Sequence, residues 1–260
     1  MLADARVINL AANVLILLAV SSLLAGGVVW ISQRPYFAIT RLSIEPVGGG
    51  GLQFVSAAGV QATLADRLRG NFFFINLEHV RELMETTPWV RKARVKRVWP
   101  NTLQVQLEEH QPLAFWNEDQ MLNTWGEPFA ANLGELPDDR KLPQLNGPDA
   151  SERLVVQRYA ELIRWIAPLE VDVREITLSP RYAWEVRLNN GVRLALGRDP
   201  AADAADPHGR SGALTFASRI ERFVQAWPAL MARLDGRTLA SADLRYPNGF
   251  AISLAPVSKQ

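Results

Sequence analysis

Few residues of this chain have the type and spacing that catalysis or metal binding requires. Cysteine is absent, and the three histidines, His79, His110 and His208, lie far apart in the sequence. No two of them have the i, i+4 spacing with which a helix presents two imidazoles to a zinc ion. No serine stands in a Gly-x-Ser-x-Gly or Ser-x-x-Lys motif, the settings of two classes of serine nucleophile. The sequence therefore predicts no catalytic, cofactor-binding or metal-binding residues, and a protein that is not an enzyme.

Two pairs of adjacent carboxylates, Glu108-Glu109 and Asp138-Asp139, are the remaining candidates for acid–base chemistry. Neighbouring residues of a strand point to opposite faces of the sheet, so neither pair is expected to share a cleft. Across the chain, 28 Lys and Arg residues are balanced by 27 Asp and Glu residues that are not gathered into blocks. This balance argues against nucleic acid as a partner.

The strongest physical signal is an apolar segment near the start, with 27 uncharged positions between Arg6 and Arg34. As a helix, such a segment would be about 40 Å long, which exceeds the roughly 30 Å hydrocarbon core of a bilayer. We predict a transmembrane helix over 7–33 after a short start, 1–6. A cleavable signal peptide is the competing interpretation, but its apolar region is shorter and follows a clearly basic start. Trp30 and Arg34 are residue types favoured at a membrane interface. The charges that flank the helix do not decide which of its ends lies in the cytoplasm.

The region 35–110 has the pattern of a small β-α-α-β-β domain. Gly48 to Gly51 predict a flexible loop, and no Gly-Lys-Ser/Thr follows them to make a phosphate site. Ser56 and Asn76 are candidate N-caps for the two helices. Leu103, Val105 and Leu107 alternate with polar residues, which is typical of a strand with one buried face. The predicted elements are a strand over 37–44, helices over 56–69 and from 77 to about 87, and strands over 89–99 and 102–108.

The region 111–255 is predicted to be a second domain of mixed α/β type, dominated by an antiparallel sheet, with 256–260 as a tail. The predicted helices are 151–167 and 215–234, the latter kinked at Pro228. Each has a predicted apolar stripe: Leu154, Val155, Ala160, Leu162, Ile163 and Ile166 in the first, and Ile220, Phe223, Val224, Trp227, Met231 and Leu234 in the second. Asn189-Asn-Gly191 predicts a hairpin turn, and Asp199 to Gly212 a disordered surface loop. The predicted strands are 113–116, 121–124, 171–178, 183–188, 192–196, 239–246 and 250–254. The fold class is therefore α+β, with an N-terminal transmembrane helix.

Several motifs resemble one family. They include Arg69-Gly-Asn-Phe-Phe-Phe-Ile-Asn76, Pro88-Trp-Val-Arg-Lys-Ala-Arg-Val-Lys-Arg-Val-Trp-Pro-Asn-Thr-Leu103 and Glu108-Glu-His-Gln-Pro112. Further along the chain are Trp125-Gly-Glu-Pro-Phe129, Leu142-Pro-Gln-Leu-Asn-Gly-Pro148, Leu188-Asn-Asn-Gly191, Leu196-Gly-Arg198 and Asp243-Leu-Arg-Tyr-Pro-Asn-Gly249. Together they resemble the FtsQ/DivIB bacterial cell-division proteins, on the FtsQ side, over nearly the whole chain from residue 36.

The resemblance implies a cytoplasmic start, an inner-membrane helix, a periplasmic POTRA domain over 35–110 and a periplasmic β domain over 111–255. It implies a non-enzymatic scaffold of the divisome at the division septum, without a cofactor. The implied partners are FtsB and FtsL, bound through the β domain, and other division proteins, contacted through the POTRA domain. The family's FtsB site, at the last hairpin and a neighbouring arginine-bearing strand, transfers to Arg181, Arg245, Tyr246, Asn248, Gly249 and Phe250.

The residues themselves are compatible with that role. A C-terminal strand followed by a short tail can leave backbone donors and acceptors unpaired for a partner strand. Arg245 and Tyr246 are of types enriched at binding hot spots, although a packed Tyr246 and a solvated Arg245 are the plainer alternative. Two other functions remain open: a POTRA chaperone for polypeptide transport, which would need a transmembrane β-barrel, and a membrane-anchored cell-wall enzyme.

Overall fold

A computed structural model describes residues 2–56, 58–60, 71–137, 141–199 and 215–256 of the chain. Their contacts divide the chain into two compact units, Met1–Glu109 and His110–Gln260. The predicted loop Asp199 to Gly212, apart from Asp199 itself, lies outside the described residues, as do His208 and the pair Asp138-Asp139.

The first unit begins with α1 (Leu2–Ser32), a helix without a polar face. Its segment Ile8–Ser32 comprises 25 residues with a mean hydropathy of 2.5, and none of them is buried in the protein. This segment is long and apolar enough to cross a bilayer, with its backbone groups bonded within the helix. The guanidinium of Arg34 lies 3.5 Å from the ring centroid of Trp30, so the predicted interfacial pair meets at the helix end.

The rest of the first unit carries a three-stranded sheet of order β1-β3-β2. Its elements are β1 (Arg41–Pro46), α2 (Leu77–Glu85), β2 (Val90–Val98) and β3 (Thr102–Glu109). β1 runs parallel to β3, and β2 antiparallel to it. The Asn76 side chain accepts hydrogen bonds from the N–H groups of Glu78 and His79, which confirms the predicted cap. Residues 58–60 are helical, whereas 61–69 of the first predicted helix lie outside the described part of the chain.

The first strand begins later than predicted. Pro35–Phe37 form a 3-10 turn, and β1 starts only at Arg41. The backbone N–H groups of Thr40 and Arg41 both donate to the carbonyl of Asn101, at 3.1 and 3.4 Å. The strand therefore begins where the β2–β3 hairpin first offers it an acceptor.

The buried face of β3 matches the predicted alternation and extends it to a carboxylate. Leu103, Val105 and Leu107 are at most 1% exposed. Glu109 continues the same face and is also buried. Its carboxylate accepts hydrogen bonds from the backbone N–H groups of Gln53, Phe54 and Val55, at 2.8, 2.9 and 2.6 Å. Glu109 thereby holds the segment after the glycine loop against the end of β3.

The second unit is built on a nine-stranded sheet of order β12-β11-β10-β9-β8-β7-β4-β5-β6. Parallel pairing joins β4 to β7, β7 to β8, and β10 to β11, and the other neighbours are antiparallel. The strands are β4 (Pro112–Trp116), β5 (Gln120–Asn123), β6 (Pro128–Phe129), β7 (Gln144–Asn146), β8 (Val173–Leu178), β9 (Ala183–Leu188), β10 (Arg193–Arg198), β11 (Leu239–Asp243) and β12 (Ala251–Leu254). The short strands β6 and β7 were not predicted.

Two helices, α3 (Glu152–Ile166) and α4 (Phe216–Arg233), pack on this sheet. Of the predicted stripe on α4, Ile220, Phe223 and Leu234 are buried, whereas Val224, Trp227 and Met231 are half-buried. Phe216, which was not predicted, is buried as well. On α3 the prediction was partly wrong. Val155, Leu162 and Ile166 are buried, whereas Leu154 and Ile163 are 38% and 43% exposed and Ala160 is also exposed. The α3 sequence has more apolar residues than the width of its buried face can accommodate.

Candidate partner-binding edge

β12 is the last strand at one end of the nine-stranded sheet. It pairs with β11 in the register Ser241 with Ser253, Ala242 with Ile252 and Asp243 with Ala251. Within the described residues no strand covers its other side. An uncovered edge presents a row of backbone donors and acceptors to which another chain can add a strand.

The direction of the backbone groups along β12 follows from one hydrogen bond. The N–H of Ala255 donates to the carbonyl of Thr238 at 2.8 Å, toward the sheet. Backbone groups alternate direction along a strand, so the N–H groups of Ser253 and Ala251 also point inward. Those of Ile252 and Leu254 therefore point to the open side. The Ile252 side chain is 42% exposed, which adds an apolar contact at the edge.

The loop between β11 and β12 begins earlier than predicted, because β11 ends at Asp243 rather than at Tyr246. The Asp243 carboxylate accepts a hydrogen bond from the backbone N–H of Arg245 at 3.1 Å. It also binds the Arg245 guanidinium, with Nε to Oδ1 at 2.8 Å and Nη2 to Oδ2 at 2.5 Å. An aspartate that captures the backbone two residues on turns the chain out of the strand.

The Arg245 side chain is 62% exposed, but its guanidinium is fixed by the ion pair with Asp243. Its aliphatic part lies over Gly197, where an added Cβ would come within 2.9 Å of the Arg245 Cγ. Gly197 has φ +71° at a bulge of β10, a conformation that favours glycine. The bulge and the missing side chain let the arginine lie across the sheet end. In the sequence Gly197 is visible only as part of the motif Leu196-Gly-Arg198, because its contact with Arg245 depends on β10 and β11 being neighbours.

The other predicted residues of the loop differ in accessibility. Tyr246 is 53% exposed, and Asn248 is exposed as well. Gly249 and Phe250 are half-buried, and the Phe250 ring lies edge-on to Phe223 of α4, with centroids 5.3 Å apart. Tyr246 and Asn248 thus present exposed polar side chains, whereas the Phe250 ring packs against α4.

Arg181 lies in the turn between β8 and β9, not on a strand as the resemblance implied. It is exposed, and the next strand begins two residues later at Ala183. Ala183 pairs with Arg198 at the end of β10, and Leu244 N–H donates to Ala195 of the same strand. The turn of Arg181 and the loop of Arg245 are therefore at the same end of the sheet.

The ion pair at Asp243 gives a pH prediction. Hydrogen bonding from the Arg245 side chain lowers the pKa of the Asp243 carboxyl below its ordinary value of 3.8. Because the folded pKa is depressed, the pair is complete at neutral pH and is lost only as the pH falls through that folded pKa. We expect an NMR titration of the Asp243 carboxyl carbon to have its midpoint below 3.8. In Arg245→Gln the midpoint should rise; an unchanged midpoint would contradict the pairing in solution.

Glu108, Glu109 and His110 have structural partners. The two carboxylates of the Glu108-Glu109 pair diverge: Glu108 pairs with Arg91 at 2.5 Å, and Glu109 binds backbone N–H groups. His110 stacks on Phe129 and contacts the Asn123 amide through Nδ1. Among the residues that the structure describes, no group of three His, Asp or Glu side chains could hold a metal ion.

Comparison with known proteins agrees with the fold. Residues 47–110 match the family model "POTRA domain, FtsQ-type". Residues 114–245 match the model "Cell division protein FtsQ/DivIB, C-terminal". The chain belongs to the FtsQ/DivIB family of cell division proteins. The family resemblance recognised in the sequence is thus confirmed, as is the predicted fold class with its POTRA domain.

Relatives within this family cover almost the whole chain. A "Cell division protein FtsQ" of Bordetella pertussis is 59% identical over 254 residues, 98% of this chain and 93% of that protein. One of Burkholderia pseudomallei is 44% identical over 97% of this chain and 94% of that protein. One of Nitrosospira multiformis is 37% identical over 85% of this chain and 86% of that protein. Membership supports a divisome role with division proteins as partners, and with α1 it fits a single-pass inner-membrane protein.

Proposed function

We propose that this protein is a bitopic scaffold that binds FtsB and FtsL at the division septum through its second unit. The observation that carries the proposal is the outer edge of β12, which no strand of the described residues covers and which adjoins the loop of Arg245, Tyr246 and Asn248. A partner strand would pair with the outward N–H groups of Ile252 and Leu254. Side chains of the loop would then select the partner, because backbone pairing alone carries little sequence information.

We also propose an arrangement of the chain across the membrane and a separate binding role for each periplasmic domain. Residues 1–6 lie in the cytoplasm and 7–33 cross the inner membrane. The POTRA domain, 35–110, and the β domain, 111–255, lie in the periplasm, and 256–260 form a tail. The POTRA domain contacts further division proteins. The proposed role of both domains is scaffolding rather than catalysis.

Charge reversal or truncation at the loop tests the proposed interface. Arg245 and Tyr246 offer large exposed contacts, so we expect Arg245→Glu and Tyr246→Ala each to weaken retention of FtsB by about tenfold. The measurement is a pull-down of FtsB and FtsL from membranes that contain the full chain, with the bait titrated. Arg164→Glu is the matched control, because Arg164 is also exposed and lies on α3.

The control separates a local contact from general electrostatics. Arg164→Glu should retain FtsB as the unaltered chain does. Retention of FtsB by Arg245→Glu and Tyr246→Ala equal to that of the unaltered chain would contradict the placement of the interface at this loop. Equal loss in Arg245→Glu and Arg164→Glu would indicate a non-specific charge effect.

A further inference from the structure

A cluster of aromatic side chains surrounds the point where α1 ends. The side chain of Asn71 donates to the carbonyl of Ser32 in the last turn of α1. One residue on, the Phe72 N–H donates to the carbonyl of Phe37 at 2.9 Å. The rings of Phe37 and Phe73 then meet edge-on, with centroids 5.0 Å apart. The loop 71–74 is thus fastened to the helix end and to the 3-10 turn that follows it.

Between this loop and α1 lies an apolar groove of about 430 Å³. One wall is formed by Val28, Val29 and Ile31 of α1, and the other by the rings of Phe37, Phe73 and Phe74. The α1 wall belongs to the membrane-spanning segment. The groove is therefore continuous with the surface that α1 presents to lipid, and an acyl chain can enter it without leaving the hydrocarbon phase.

The tip of the β2–β3 hairpin lies on the same side of the first unit. The carbonyl of Asn101 in this tip accepts from the N–H of Thr40, three residues after Phe37. Trp99, beside it, is 68% exposed, and Phe74 is 64% exposed. Exposed aromatic rings near the end of a membrane helix favour the interfacial layer of a bilayer, because their apolar faces leave water there.

The charge of these segments is of one sign. Residues 34–44, 71–77 and 96–101 contain no Asp or Glu. Their cations, all exposed, are Arg34, Arg41, Lys96 and Arg97. The register places Arg97 opposite Leu103 and Arg41 opposite Thr102, both beside the hairpin tip. Basic groups around exposed rings complement the headgroups of anionic phospholipids.

We propose that Phe73, Phe74, Trp99 and the four surrounding cations form a membrane-binding foot, which seats the first folded unit on anionic phospholipid. An acyl chain occupies the groove beside α1, and the headgroups contact the cations. The foot restrains the POTRA domain at the bilayer instead of leaving it on a free tether. This inference concerns the lipid surface alone and does not depend on the proposed β12 interface.

Site-directed labelling tests the foot directly, because the chain has no cysteine. Asn101→Cys places an environment-sensitive fluorophore at the hairpin tip. Gly51→Cys places it past the opposite end of β1, where an added Cβ meets nothing within 4 Å. Each full-length variant is reconstituted at one chain per nanodisc, which excludes a second copy as the occupant. The discs contain phosphatidylcholine and phosphatidylglycerol with a spin-labelled lipid as quencher.

We expect quenching at position 101 to exceed that at position 51 by at least about threefold. Phe73→Ser with Phe74→Ser should reduce quenching at position 101 to the level of position 51; both rings are exposed, so the fold should persist, and amide exchange in β3 checks it. About 0.5 M NaCl, or discs of phosphatidylcholine alone, should also reduce it. Equal quenching at both positions, or no effect of the phenylalanine substitutions, would overturn the proposal. Insensitivity to salt and to lipid charge would overturn its anionic-lipid part.

Discussion

Ile252→Pro is expected to weaken binding of FtsB and FtsL by about thirtyfold, with the fold of the second unit intact. The Ile252 N–H points to the open side of β12, so proline removes a donor that a partner strand needs and no bond of the native sheet. Its ring also obstructs the next pairing along the edge. Two lost hydrogen bonds at about 1 kcal/mol each correspond to this factor. A titration of full-length protein in detergent with the FtsB–FtsL complex measures it.

Two companion variants show whether the backbone is responsible. Ile252→Ala keeps the N–H and removes only the exposed side chain, so it should weaken binding far less than proline. Ser253→Pro removes an N–H that points toward β11 and should destabilise the strand pair itself, visible as faster amide exchange in β11. If Ile252→Pro bound as tightly as the unaltered chain, strand addition at β12 would be wrong, whatever the loop variants show.

The parts of the fold that the sequence predicted well are those governed by short-range periodicity. Alternation in β3 identified its buried face, and the Asn189–Gly191 turn formed the expected hairpin. On α3, periodicity alone did not identify the buried face, because Leu154 and Ile163 continue the apolar stripe past the width that the sheet covers. How much of an amphipathic helix is buried depends on its neighbours, which local pattern does not contain.

Strand ends and the candidate site depended on contacts between distant residues. β11 stops at Asp243 because that carboxylate captures the backbone of Arg245, and β1 starts where Asn101 provides an acceptor. The Asp-x-Arg spacing on a strand is a signal that could have suggested the ion pair, since residues two apart share a face. The position of Gly197 beneath Arg245 could not be foreseen, because it requires β10 and β11 to be neighbours.

The hydrogen bonds of Glu109 were not predicted from the sequence. Replacing this residue should lower the stability of the first unit more than the other substitutions considered. Its carboxylate accepts three backbone hydrogen bonds from residues 53–55, more than 50 positions away. Glu109→Ala leaves these donors without an acceptor and a void at the end of β3. Water can reach the exposed Gln53 but not the buried Val55, so we expect a loss of about 3 kcal/mol.

Hydrogen exchange on the full-length protein measures this loss where it arises. Amides of residues 53–55 and of β3 should exchange about a hundredfold faster in Glu109→Ala, because 1.4 kcal/mol corresponds to tenfold in an equilibrium. Glu108→Gln is the matched control on the adjacent residue: it removes only a partly exposed pair with Arg91, worth at most about 1 kcal/mol. If Glu109→Ala and Glu108→Gln accelerated amide exchange equally, the three hydrogen bonds to Glu109 would not be what holds residues 53–55 against β3.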